Sequence, residues 1–285
     1  MNILVTGKNG QLGSEISILT NQYPNFNFVF TDIEELDITD KEAVQNFFIQ
    51  QKIDLIINCA AYTAVDNAED NFDIANKVNN IAVKYLTEEA EKHNSKIIHI
   101  STDYVFNGNN YLPYKEEDPT SPIGVYGETK LQGEQHILNS STQGLIIRTS
   151  WVYSTFGNNF VKTMLRLGTE RDNLGVIGDQ VGTPTNARDL ALACLEIASK
   201  TELWSKENEI YHFSNLGVCS WYDFAFEIMK LSTLDCQVNL IETKDYPTKA
   251  KRPQYSVLNK AKITKQFGVK NKHWSISLKE TIEQL

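Results

Sequence analysis

The chain alternates short apolar runs without polar interruption and amphipathic stretches. Asn2-Ile3-Leu4-Val5-Thr6, Asn27-Phe28-Val29-Phe30-Thr31, Asp54 to Cys59, Lys96 to Ser101 and Leu145 to Thr149 each predict a strand buried on both faces. Helices are predicted over Gln11 to about Thr20, from an N-cap at Asp40 to about Gln51, and over Asp73 to about His93. In the last of these, Ile74, Val78, Ile81 and Tyr85 recur at helical spacing. Such strands alternating with helices predict a doubly wound α/β fold around a parallel sheet, with ligands beyond the carboxyl ends of its strands. Past about Trp151 the rhythm changes, and 215–285 is less regular, rich in aromatic residues and crossed by a basic run, Lys249, Lys251 and Arg252. The expected division is a sheet domain over 1–150, completed by about 172–214, and a smaller substrate-side domain from 215–285 with loops from 151–185.

Composition narrows the function classes. The 285 residues are 41% hydrophobic and 22% charged, the mix of a soluble globular protein with about two domains. A formal net charge of -9 argues against nucleic acid or an anionic membrane as the main partner. Cys59, Cys194, Cys219 and Cys236 form no CxxC pair and no metal-type spacing with histidine, which reads as reduced thiols in a cytoplasmic protein. Cys59, within an apolar run, is expected to be buried. No apolar stretch approaches the roughly 20 residues of a membrane span, and no leader pattern precedes the first strand.

The first strand runs into Thr6-Gly7-Lys8-Asn9-Gly10-Gln11-Leu12-Gly13. Gly7, Gly10 and Gly13 permit a tight turn, backbone approach to a pyrophosphate and close helix packing, although three such glycines also suit a plain packing turn. The helix beginning near Gln11 directs its free N–H groups at the phosphates. Asp32, ending the second strand, is placed to accept from adenosine ribose hydroxyls, which favours NADH, while Lys8 leaves NADPH open. Asp37 and Ile38 are candidates for the adenine side, and Ala60, Ala61, Tyr62 and Thr63 give small and polar positions after the third strand.

Tyr126 and Lys130 stand four apart, on one face of a helix. A neighbouring ammonium lowers a phenol pKa, which suits general acid–base work. Tyr111 and Lys115 share the spacing, but Pro113 between them prevents a regular helix. Thr102, at the end of the fourth strand, adds a hydroxyl able to hydrogen-bond a reacting carbonyl. Trp151 offers a flat face to a sugar or fills the core, and Arg252 meets a diphosphate or belongs to a solvated basic run.

Taken together, Ser101-Thr102-Asp103-Tyr104-Val105-Phe106, Val125-Tyr126-Gly127-Glu128-Thr129-Lys130, Arg148-Thr149-Ser150-Trp151-Val152-Tyr153, Asp179-Gln180-Val181-Gly182-Thr183-Pro184-Thr185 and Arg252-Pro253 resemble the extended short-chain dehydrogenase/reductases. Within that superfamily the chain is similar, over nearly its whole length, to the dTDP-4-dehydrorhamnose reductase family. The resemblance implies a Rossmann domain with a smaller C-terminal substrate-binding domain. It implies reduction of the C4 ketone of a dTDP-linked 6-deoxy-hexulose by NADH or NADPH, the last step to dTDP-L-rhamnose. By the same resemblance Gly10, Gln11 and Leu12 hold the cofactor phosphates, and Asp32, Asp37 and Ile38 its adenosine side. Ala61, Tyr62 and Thr63 lie along it, Tyr126 and Lys130 face its ribose and nicotinamide, and Thr102, Asp103 and Trp151 face the sugar. Dehydratases of the superfamily carry an acid where this chain has Tyr104, so elimination is disfavoured and a 4-epimerase is the nearer alternative. A non-catalytic relative, the regulatory subunit of methionine adenosyltransferase, makes a nucleotide-binding subunit the other alternative. Some reductases dimerise around Mg²⁺ held by glutamates; Glu15 matches one, but Arg188 and Gln284 occupy the later positions. One carboxylate beside an arginine is a poor cation site, so no metal is expected, and a monomer or a dimer without Mg²⁺ is.

Overall fold

A computed structural model describes residues 1–285. In chain order the first half comprises β1 (Asn2–Thr6), α1 (Gln11–Leu19), β2 (Asn27–Thr31), α2 (Lys41–Gln50), β3 (Leu55–Asn58), α3 (Val65–Asp70), α4 (Phe72–Asn76), α5 (Ala82–His93), β4 (Lys96–Thr102), α6 (Val125–Leu138) and β5 (Gly144–Thr149). Asp40 caps α2, its carboxylate accepting from the Glu42 and Ala43 amides at 2.9 and 3.2 Å.

The central sheet has six parallel strands in the order Glu209–His212, β5, β4, β3, β1, β2. The order reverses between β1 and β3, and the cleft opens there, at the carboxyl ends of the strands. Every residue of β3 and β5 is buried, because helices cover both faces. One face packs Ile3, Val5, Ile57 and Ile147 against α1 and the helix Ala187–Ala198. The other packs Leu4, Ile56 and Ile146 against α2 and α5.

The helix expected over Asp73 to His93 is not continuous. α4 and α5 are joined by a π-helical turn, Lys77–Ile81, and the buried face is Ala75, Asn79, Ala82, Leu86 and Ala90 rather than the face of Ile74, which is 53% exposed. Asn79 explains the shift: its side chain accepts from Tyr62 N at 2.8 Å and donates to Tyr62 O at 3.1 Å, tying the helix to the segment after β3. Gly133 of α6 packs so closely that a Cβ there would lie 2.2 Å from Asn79 O.

Of the span 172–214, Glu209–His212 joins the central sheet, whereas Asn173–Ile177 pairs in parallel with Gln237–Ile241 outside it. A separate apolar cluster there brings together Tyr153, Val161, Phe224, Ile228, Trp274 and Leu278. Within 215–285, Ile263, Phe267 and Val269 return to the core beneath the central sheet, because the helix Ala261–Phe267 supplies apolar cover that the sheet lacks at that edge. Cys59 is only half-buried, because it lines the cleft; all four cysteines are free. No helix is long and apolar enough to cross a membrane.

Candidate active site

The turn after β1 is walled by main chain. Gly7 has φ +66°, and a Cβ on it would lie 2.9 Å from the Ala60 backbone. A Cβ on Gly13 would lie 2.3 Å from the Gly7 carbonyl oxygen. Gly10 is the N-cap of α1 and brings no side chain to it, so the first-turn amides are left for a ligand. Beside this turn lies a cleft of about 360 Å³ lined by Thr6, Gly7, Gly10, Asp32, Ile38, Ala60 and Ala61. A cradle that any side chain would fill, at a helix N-terminus and leading to a carboxylate, fits a dinucleotide.

Asp32 accepts from the amides of Asn9 at 3.0 Å and Ile33 at 2.9 Å. Lys8 is ion-paired with Glu35, whose other oxygen accepts from Asp32 N at 2.9 Å. Two carboxylates and one engaged lysine thus close that end of the cleft. Asp37 lines the cleft but spends its carboxylate on Thr39, accepting from Oγ1 at 2.6 Å, and that bond holds its pKa below the usual range. Leu36, Ile33 and Val78 line the same cleft and carry no signal in the sequence beyond being apolar. Gly13 lies behind the turn, and Tyr62, its backbone held by Asn79, lines neither this cleft nor the next cavity.

A second cavity, of about 590 Å³, joins Gly10, Gln11, Leu12 and Thr63 to Thr102, Asp103, Tyr126, Lys130, Trp151 and Trp221. Thr102 is 4% exposed; its hydroxyl donates to Asp103 Oδ1 at 3.0 Å and accepts from Tyr104 N at 3.1 Å. Burial pushes the Asp103 carboxyl up to about 7, and its Oδ2 has no partner. Tyr126 meets Tyr104 edge to face with ring centroids 5.4 Å apart.

Lys130 and Tyr126 share a helix face, yet the amine does not lower the phenol. Lys130 Nζ turns to Ile100 O at 2.6 Å and His99 Nε2 at 3.2 Å. Burial pushes the Tyr126 phenol up to about 12, against the Thr102 hydroxyl, and the Lys130 amine down to about 8.

Trp151, at φ +49°, stacks on Trp221 with centroids 3.5 Å apart and planes at 10°. One of its faces is therefore covered, and the cavity meets the pair rather than a lone ring. Trp221 escapes a reading of the sequence: Ser220 and Asp223 form a capping box that marks a helix start there, but nothing local says where its first ring points. Arg252 lies outside this cavity. It forks onto Asp66 at 2.6 and 3.1 Å and lines a third cavity of about 600 Å³ that shares Trp221. Glu15 is buried and accepts from Ser154 Oγ at 2.5 Å, while Arg188 reaches Gln284 at 3.4 Å.

The family model described as RmlD substrate binding domain matches residues 1–285. The dTDP-4-dehydrorhamnose reductase of Aggregatibacter actinomycetemcomitans is 44% identical, with 97% of each chain covered. A crystal structure of a dTDP-4-dehydrorhamnose reductase from Clostridium acetobutylicum, 43% identical, superposes with TM-score 0.94 over 100% of this chain and 99% of its own. That of the Bacillus anthracis enzyme in complex with NADP, 34% identical, superposes at 0.93 over the same shares. With this fold, this cleft and full-length identity of that order, the chain belongs to the dTDP-4-dehydrorhamnose reductase family.

Proposed function

We propose that this protein reduces the C4 ketone of dTDP-4-dehydro-6-deoxy-L-mannose, giving dTDP-L-rhamnose, as the final step of dTDP-rhamnose biosynthesis in the cytoplasm. The observation that carries this reading is the single cavity that links Gly10, Gln11 and Leu12 to Thr102, Tyr126 and Lys130. NADH or NADPH supplies the hydride when bound along Gly7, Gly10, Gln11 and Leu12, with Asp32, Asp37 and Ile38 at its adenosine side and Ala60, Ala61 and Thr63 along its length. Gly13 supports the turn from behind, and Tyr62 is held by Asn79. Lys130, anchored on β4, holds the ribose side of that site.

A phenol at about 12 is fully protonated near neutral pH, so Tyr126 serves as an acid and gives its proton to the oxygen left negative at C4. Thr102 turns its hydroxyl proton from Asp103 Oδ1 to the same oxygen at a buried strand end, where a hydrogen bond to developing charge counts for more than in water. Trp151 and Trp221 wall the sugar, Asp103 faces it, and Arg252 meets the diphosphate from the adjoining cavity. Burial raises the Tyr104 phenol still further, which leaves no base at the position elimination would need. Residues 1–150 with Glu209–His212 form the cofactor-binding domain, and 215–285 with loops from 151–185 the substrate-binding domain, less the helix Ala261–Phe267 that packs beneath the sheet.

The test supplies dTDP-4-dehydro-6-deoxy-L-mannose with NADH and with NADPH and follows nicotinamide absorbance and the rhamnosyl product. Oxidation coupled to product is expected; no oxidation with either cofactor overturns the reading.

A further inference from the structure

A polar row crosses the sheet beneath the reaction centre. Thr6 of β1, Asn58 of β3 and His99 of β4 are register partners on adjacent strands, flanked by Val5, Ile57 and Ile98. These three and Lys130 above them are each at most 1% exposed. Burying four polar side chains in such a core is costly unless donors meet acceptors. Here Thr6 Oγ1 donates to Asn58 Oδ1 at 2.6 Å, and Asn58 Nδ2 lies 3.0 Å from His99 Nδ1. His99 Nε2 lies 3.2 Å from Lys130 Nζ.

Counting donors identifies the tautomer. Asn58 Oδ1 already accepts from Thr6 Oγ1 and from Ala60 N, so the amide group turned to His99 is the NH₂, and Nδ1 must accept. The ring is neutral, because burial and Lys130 hold it well below its ordinary range. Its one proton is then on Nε2, aimed at Lys130. Only the lone pair of a neutral amine can accept it; an ammonium would set N–H against N–H.

We propose that His99 is a positioning residue for Lys130: with its Nε2–H tautomer imposed by Asn58 and Thr6, it opposes protonation of the amine that Ile100 O holds in place. Other groups act on the same amine. Glu134, one turn along α6 and bound by Arg148 of β5 at 2.7 and 2.9 Å, favours the charge, as does the Cys59 thiol beyond β3. Asp103 and Tyr126 line the same cavity. Burial outweighs Glu134 and Cys59 and brings Lys130 to about 8, where it exchanges a proton far more readily than a lysine at the ordinary value of about 10.4.

Two measurements test this. Two-bond ¹H–¹⁵N correlation spectra of ¹⁵N-histidine-labelled free protein, with His99→Phe assigning the signal, are expected to show a protonated Nε2 and bare Nδ1, unchanged between roughly pH 6 and pH 9. An Nδ1–H tautomer or an imidazolium overturns the proposal. Asn58→Asp puts a carboxylate oxygen where the NH₂ was, drawing the ring proton to Nδ1 and making Nε2 an acceptor. The Lys130 titration midpoint, read from its ¹³Cε shift, is then expected to rise by about one unit or more. The double variant Asn58→Asp, His99→Phe, measured against His99→Phe alone, carries the new charge without the ring, and an equal rise in that pair overturns the proposal. Should Asn58→Asp fail to fold, the wild-type spectrum still decides. The consequence for turnover rests on the reductase reading, but the tautomer is measured without substrate or cofactor, so each can fail alone.

Discussion

At the carboxyl end of β1 the cleft is walled by backbone, with no room for a methyl group at Gly13 beside the Gly7 carbonyl. At the other end of the second cavity, and in the cavity adjoining it, the walls are side chains that meet across the chain: Trp151 on Trp221, and Arg252 on Asp66 at a separation of 186 positions. The first end is made by the turn after β1 against the Ala60 backbone and tolerates no added atoms. The second is made by pairs, each removable without disturbing the first. Substitutions at the first end should therefore act through size and those at the second through lost contact. Tyr126 and Lys130 line the cavity that joins the two ends.

The largest effect is expected at that junction. Tyr126→Phe should lower kcat by about 10²–10⁴-fold while NADPH binding, followed by fluorescence titration, stays at the wild-type level. Lost binding together with lost turnover would show that the ring is a structural part of the cofactor end. Next comes Gly13→Val, whose added atoms must displace the Gly7 carbonyl; overpacking of this kind costs about 1–3 kcal/mol. Weaker NADPH binding with a lower Tm is expected, and unchanged binding would remove the size argument. Trp221→Ala should raise KM for the sugar nucleotide about tenfold, or about 1.4 kcal/mol, with NADPH affinity intact. A matching loss of NADPH affinity would erase the contrast between the ends.

The last effect concerns Asp103 and depends on pH. Burial raises its carboxyl to about 7, against about 3.9 in an unfolded chain, so the folded state holds the proton more tightly. Its contribution to stability is present below the unfolded pKa and is lost as pH rises through about 7. Asp103→Asn, which cannot ionise, should gain a Tm margin over wild type of a few degrees across that window and a constant one above it. A margin independent of pH would mean that the carboxyl titrates alike in both states.

Much of the fold was legible because its signals are short. The strands, the Asp40 cap and the glycine turn each depend on neighbours within a few positions, and the structure has them within a residue or two of the expected bounds. The helix over Asp73 to His93 misled because apolar spacing assumes that large side chains face the core. Ala75, Asn79 and Ala82 are buried instead, since small residues let α6 approach and Asn79 must reach Tyr62. The spacing of Tyr126 and Lys130 placed both on one face but could not say that Lys130 turns to Ile100 and His99, which reverses the expected direction of the phenol shift. Trp221 was silent because a ring's direction depends on what it packs against, and Trp151 is far away in sequence.

By itself the sequence determined a parallel sheet, the strand ends at which the cleft opens, and a close-packed glycine turn before α1, because sterics and hydrogen bonding between near neighbours suffice for each. Tertiary structure alone decided which side chains share a cavity, that Arg252 is held by Asp66, and the protonation of Asp103, Tyr126 and Lys130. Desolvation and pairing sum over everything packed around a group, and those neighbours arrive from strands and helices that only folding brings together.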